Sequence, residues 1–154
     1  MKRRIFLQSS LASGIIMAAA ATGLLKPGTV LAAAWPANAF AAKTIDDALK
    51  QLYGTNAVTE SKDIEIKAPL QAENGAVVPV AVSTSLPKPE AISLYVKENV
   101  QPLAAAIDLP RASGYFSARV KMAKTSEVRA VIKSGGKLYS TSMNIKVTVG
   151  GCGG

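Results

Sequence analysis

The sequence predicts an all-β protein, an antiparallel β-sandwich of about seven strands preceded by one short helix and followed by a flexible C-terminal tail. Three observations carry this prediction. Apolar and polar residues alternate with a period of two in a series of short stretches from residue 63 onward. Turn-forming pairs such as Asn74-Gly75 and Gly135-Gly136 lie between them. The last five residues are four glycines and one cysteine.

The N-terminus has the pattern of a cleaved export leader. Arg3 and Arg4 precede Ile5-Phe6-Leu7, which matches the twin-arginine (Tat) signal. The apolar stretch 11–25 spans about 15 residues, shorter than the roughly 20 that a bilayer-crossing helix needs. We therefore expect a periplasmic protein whose mature form has no membrane span.

Small-x-small cleavage sites follow this stretch, among them one ending at Ala34 and one at Ala41. Folded-domain patterning begins at Lys43-Thr44, which favours cleavage after Ala41. The sequence thus predicts a leader over 1–41, a β-sandwich domain over 42–149 and a tail over 150–154.

Composition excludes several classes of function. Eighteen basic and ten acidic residues give a formal charge of +8, but four basic residues and no acidic residue lie within 1–41, so the rest of the chain carries +4. No arginine-rich run or aromatic-basic pattern indicates nucleic-acid binding. The chain has no histidine and one cysteine, which excludes Ser/His or Cys/His catalysis, an internal disulfide and multi-cysteine metal sites. We expect no cofactor and no enzymatic activity.

The short helix is predicted just after the leader. Thr44 is a candidate N-cap, with Asp47 as its capping-box partner. Apolar residues then recur at helical spacing, and Gly54 ends the run. These apolar positions are Ile45, Ala48, Leu49 and Leu52.

The strands follow in order along the chain. Each has apolar residues on one face and mostly polar residues on the other, apart from a weaker run at 103–109. Their apolar positions are Ile64 and Ile66; Val78, Val80 and Val82; Ile92, Leu94 and Val96; Phe116, Val120 and Met122; Val128, Ala130 and Ile132; and Tyr139 through Val149 in the longest run. Pro79 indicates an edge strand or a bulge.

The tail is the most specific feature of the sequence. Cys152 stands between Gly150-Gly151 and Gly153-Gly154. Glycine leaves such a peptide flexible and narrow, and at about 3.3 Å per residue Cys152 reaches roughly 10 Å beyond Val149. A thiol on such a flexible peptide has no fixed neighbour to activate it. This geometry therefore favours a cysteine that carries a bound group over a catalytic cysteine.

Taken together, these residues resemble the SoxY family, the sulfur-carrier subunits of the SoxYZ complex of periplasmic thiosulfate oxidation. The resemblance rests on the twin-arginine leader, on the ending Val147 to Gly154 and, more weakly, on the segments 72–80 and 119–128. It implies an immunoglobulin-like sandwich that pairs with SoxZ as a heterodimer. It also implies that thiosulfate-derived intermediates are held on the thiol of Cys152 and presented in turn to SoxXA, a c-type cytochrome, to SoxB and to SoxCD.

Two other interpretations stay open at this stage. In one, the chain is a non-catalytic interaction protein whose terminal cysteine forms a disulfide with a partner. In the other, the Gly-Gly terminus is activated as a thiocarboxylate, as in ubiquitin-like carriers. The strand count disagrees with the β-grasp fold of that second class.

Overall fold

The computed structural model describes residues 35–148, which form two helices and nine strands. The helices are α1 (Ala37–Ala41) and α2 (Ile45–Tyr53). The strands are β1 (Val58–Glu60), β2 (Ile64–Lys67), β3 (Gln71–Ala72), β4 (Val78–Thr84), β5 (Pro89–Val96), β6 (Leu103–Asp108), β7 (Tyr115–Val120), β8 (Ser126–Ser134) and β9 (Lys137–Val147). Within these residues no helix has the length and apolar content needed to cross a bilayer.

Helix α2 begins and ends where the sequence predicts. The Thr44 hydroxyl accepts a hydrogen bond of 3.1 Å from the amide of Asp47, and it donates one of 2.8 Å to the Asp47 carboxylate. Asp46 and Asp47 also place negative charge at the positive end of the helix. At the other end Gly54 adopts a left-handed conformation with φ of 76°, and its amide bonds to the carbonyl of Lys50.

Two sheets form the sandwich. The larger one has the order β1-β9-β8-β5-β6, with β3 also pairing with β9, and the smaller one has the order β2-β4-β7. The pairs β9–β8, β8–β5 and β5–β6 are antiparallel, whereas β1 and β3 each run parallel to β9. The longest strand, β9, thus pairs with β8 over residues 137–145 on one edge, and with β1 at 138–140 and β3 at 146–147 on the other.

The apolar residues at the alternating positions predicted from the sequence form the core between the sheets. Valines 78, 80 and 82 of β4 face Ile92, Leu94 and Val96 of β5, and all are buried. Residues from β8 and β9 complete this cluster, among them Val128, Ile132 and Ile145. Because the side-chain period is two, the polar residues between these positions lie on the outer faces.

A second buried cluster lies on the outer face of the larger sheet. The two helices cover that face, and Ala39 of α1 and Leu49 of α2 are each 1% exposed. They pack with sheet residues that include Tyr95, Val131 and Leu138. Beside them, the Tyr53 hydroxyl donates to the Ser93 hydroxyl at 2.9 Å, and Ser93 donates to the carbonyl of Val131 at 3.4 Å.

The all-β sandwich with a short helix is confirmed, and all seven predicted strands are present. Sequence reasoning missed β1, β3 and α1. It was also wrong to place Pro79 on an edge strand or at a bulge, because β4 is the middle strand of its sheet and its pairing with β7 runs on through Pro79 without a shift in register. The proline is tolerated because β2 ends opposite Ala81, so beside Pro79 only β7 pairs with β4.

Candidate functional site

The predicted attachment residue, Cys152, lies outside the described residues, as do Gly150, Gly151, Gly153 and Gly154 of the tail and Arg3 and Arg4 of the leader. The last described residue is Thr148, four positions before Cys152. Within residues 35–148, the part of the candidate site that is present is its base, the end of β9 from which the chain continues toward the cysteine.

One edge of this base is held by β3. The amide of Lys146 donates to the carbonyl of Leu70 at 2.9 Å, and the amide of Thr148 donates to the carbonyl of Ala72 at 3.0 Å. The Thr148 hydroxyl also bonds to the Ala72 carbonyl, at 3.4 Å. The hydrogen bonds between β3 and this segment therefore extend to Thr148, one residue beyond the end of β9.

The opposite edge is held by a side chain. Strand β8 begins at Ser126, which pairs with Ile145, so β9 has no β8 partner beyond that point. The amide of Val147 instead donates to the Thr125 hydroxyl at 3.0 Å. We call β3, Thr125 and residues 146–148 the tail anchor, since together they bond successive amides on alternate edges.

Gly75 permits the close packing behind the anchor. The amide of Met122 donates to the Gly75 carbonyl at 2.7 Å. A Cβ at position 75 would press against the Met122 carbonyl oxygen and lie 3.0 Å from a methyl group of Val147. Only glycine allows the two backbones to approach this closely. The predicted Asn74-Gly75 turn is present, with the Asn74 side chain accepting from the amide of Ala76 at 2.9 Å.

The neighbouring loops are tied to one another by side chains. The Asn99 amide group donates to the carbonyl of Lys121 at 2.7 Å and accepts from the amide of Ala123 at 3.0 Å. Lys124 forms an ion pair with Glu98 at 2.9 Å. The hydrogen bond from Lys124, together with its charge, lowers the pKa of Glu98 below its ordinary value. These contacts fix the segment that presents Thr125.

An open groove of about 490 Å³ lies beside the anchor. Its walls are mostly polar, and they include Thr125, Lys97, Glu127 and Asn144. Catalytic and small-molecule sites are usually enclosed and largely apolar, with a few convergent polar groups. In residues 35–148, moreover, no cluster of three or more histidine, cysteine or acidic side chains is arranged to hold a metal ion.

Three exposed aliphatic side chains lie next to β3, the Asn74-Gly75 turn and Asn99. Leu70, Val77 and Val100 are 74%, 52% and 77% exposed. Leu70 adjoins β3, Val77 follows the Gly75 turn, and Val100 follows Asn99. Apolar groups on the surface at one end of a domain are typical of sites where another protein binds.

Sequence reasoning missed the residues that form the tail anchor. Thr125 and Asn99 act through single hydrogen bonds and belong to no periodic pattern. The two-residue strand β3 is too short to show alternation. The turn at Asn74-Gly75 was the one local feature that pointed to this region.

Comparison with known proteins places the chain in a family. The family model "Sulfur oxidation protein SoxY" matches residues 49–152, a range that includes the core, the anchor and Cys152. A comparison with curated proteins finds no match.

Two solved structures are similar to this chain, and the first of them belongs to the same family. The sulfur carrier protein SoxY from Chlorobium limicola f thiosulfatophilum is 44% identical, with a TM-score of 0.63, and the match covers 71% of this chain and 96% of that one. A superoxide reductase (neelaredoxin) from Ignicoccus hospitalis is 20% identical, with a TM-score of 0.50 and coverage of 55% and 80% of the two chains. At that identity the second match shows a shared fold alone. The chain belongs to the SoxY family of sulfur oxidation proteins.

Proposed function

We propose that this protein is a covalent sulfur carrier that holds thiosulfate-derived intermediates on the thiol of Cys152. The observation that carries the proposal is the family match, which extends through residue 152 and so includes the cysteine. The tail anchor supports it, because a carrier must present its thiol from a defined point on a stable domain.

The chemistry divides between carrier and partners. In the loading step, the thiol and thiosulfate lose two electrons and one proton and form an S-thiosulfonate, with a new S–S bond to Cys152. In the release step, water attacks the terminal S–SO₃ bond, so that sulfate leaves with two protons and a persulfide anion stays on Cys152. Without histidine or a second cysteine in the chain, the electron acceptor and the hydrolytic groups are supplied by other proteins.

We therefore propose a heterodimer with SoxZ and transient complexes with SoxXA, which accepts the two electrons, with SoxB, which hydrolyses off sulfate, and with SoxCD, which oxidises the remaining sulfur. The protein itself catalyses none of these steps, works in the periplasm after Tat export and needs no cofactor. The exposed side chains of Leu70, Val77 and Val100 are suited to contact a protein that receives the tail.

Intact-mass analysis of protein purified from thiosulfate-grown cells tests this function. We expect adducts of sulfane sulfur or thiosulfonate on the C-terminal peptide, removable by a thiol reductant. Cys152→Ser should lack them and should not support thiosulfate oxidation. A disulfide to a partner as the sole modification, or full thiosulfate oxidation with Cys152→Ser, would refute the carrier function and favour a tethering role.

A further inference from the structure

Helix α1 belongs to the folded domain. Ala39 is 1% exposed and lies in the cluster on the outer face of the larger sheet, with Phe40 partly buried beside it. The helix contacts both α2 and β6. Its first turn is closed by the carbonyl of Pro36, which accepts from the amides of Ala39 and Phe40 at 3.0 and 3.3 Å.

This packing bears on the choice between the small-x-small sites that end at Ala34 and at Ala41. A signal peptidase binds the residues before the scissile bond in an extended form, with small side chains at the first and third positions. For a cut after Ala41 those side chains are Ala41 and Ala39. In the folded chain Ala39 is buried and both residues are helical, so a peptidase that meets the folded domain has no access to this site.

A cut after Ala41 before folding fails for a different reason. It would remove α1 and uncover the apolar side chains against which Ala39 packs, including Leu49 and Leu103. Exposure of a buried apolar cluster destabilises a domain of this size. Either order of events therefore disfavours the later site.

We infer that the leader is removed at the Ala34–Trp35 bond. Water adds across that peptide bond, leaving a carboxylate on Ala34 and a new amino group on Trp35. The mature chain then begins at Trp35 and keeps α1. Trp35 is 70% exposed and Pro36 is the N-cap of α1, so a cut at this bond leaves every residue of the helix in the mature chain. This inference rests on the proposed export.

The test is expression of the full chain in a bacterium with a Tat system, followed by N-terminal sequencing and intact-mass measurement of the periplasmic protein. We expect an N-terminus at Trp35. An N-terminus at Ala42 would overturn the inference while leaving export intact. Retention of Met1 in all of the protein would overturn export, and the processing site with it, so the two failures are distinguishable.

Two matched variants sharpen the result. Ala34→Leu places a large side chain immediately before the inferred bond and should cause loss of the processed form, with accumulation of precursor. Ala41→Leu makes the same change at the other site, where the side chain is exposed and the helix tolerates leucine. It should be processed as the wild type is. The reverse pattern, with precursor accumulating only in Ala41→Leu, would refute the inference.

Discussion

The amide of Val147 donates to the hydroxyl of Thr125 at 3.0 Å, so a side chain takes the place of a neighbouring strand just where β9 ends. Thr125→Val keeps the shape of the side chain but removes the acceptor. Because the bond is near solvent, we expect a cost of about 1 kcal/mol in local opening, which corresponds to roughly fivefold faster hydrogen exchange at the Val147 amide. Thr125→Ser, which keeps the hydroxyl, should exchange as the wild type does. Equal protection in all three proteins would show that Thr125 does not hold the base of the tail.

Gly75 offers a second test of the same region. Gly75→Ala places a methyl group against the Met122 carbonyl and forces the two segments apart. We expect a loss of about 1–3 kcal/mol in the free energy of unfolding, measured by urea denaturation. Glu73→Ala, an exposed change in the same loop, is the control and should stay within about 0.5 kcal/mol of wild type. A Gly75→Ala protein as stable as the control would contradict the close approach.

Stability should fall at alkaline pH because of Tyr53. Burial raises the pKa of this side chain to about 12, and the charge of Asp108 adds to the effect, whereas the hydrogen bond with Ser93 opposes it. The unfolded chain ionises near pH 10, so this contribution to stability is complete below about pH 10 and is lost as the pH rises toward 12. Burial also raises the pKa of Tyr95, which acts in the same direction.

The measurement is thermal or urea unfolding between pH 8 and pH 11.5. Tyr53→Phe should show a shallower alkaline fall than wild type, because it has one ionisable buried hydroxyl fewer. Tyr115→Phe, at an exposed position, is the matched control. Parallel curves for wild type and Tyr53→Phe would show that another group governs the alkaline transition.

Truncating a side chain that is buried under the helices should lower the free energy of unfolding more than truncating an exposed side chain next to the anchor. Leu49→Ala empties a fully buried site in the second cluster and should cost about 2–4 kcal/mol. Leu70→Ala makes the same change where the side chain is 74% exposed and should cost less than about 0.5 kcal/mol. Equilibrium denaturation of the two variants checks both values, and similar losses would be inconsistent with the packing described.

The sandwich was predictable because every long strand buries at least one face. Val78, Val80 and Val82 alternate with exposed or half-buried neighbours, and this period appears directly in the sequence. The cap at Thr44 and the stop at Gly54 were predictable for a similar reason, since local hydrogen bonds decide them.

Other features depend on distant parts of the chain. The alanine-rich segment 37–41 resembles the end of a leader, and its place in the fold is set by contacts with α2 and β6. The role of Thr125 depends on β9, because its hydroxyl accepts a hydrogen bond from the amide of Val147, 22 positions later in the sequence. The role of Cys152 stays a prediction from its chemistry and its glycine neighbours in the sequence, because the residue lies outside 35–148.

The position of β9 also has a mechanical consequence. This strand is bonded to β8 along one edge and to β1 and β3 along the other. The interstrand hydrogen bonds lie across the strand axis, so a pull on the chain beyond Thr148 along that axis shears them together, whereas a sideways pull would unzip them one by one. A force along the axis of β9 is therefore shared by many hydrogen bonds and does not peel the strand from its sheet.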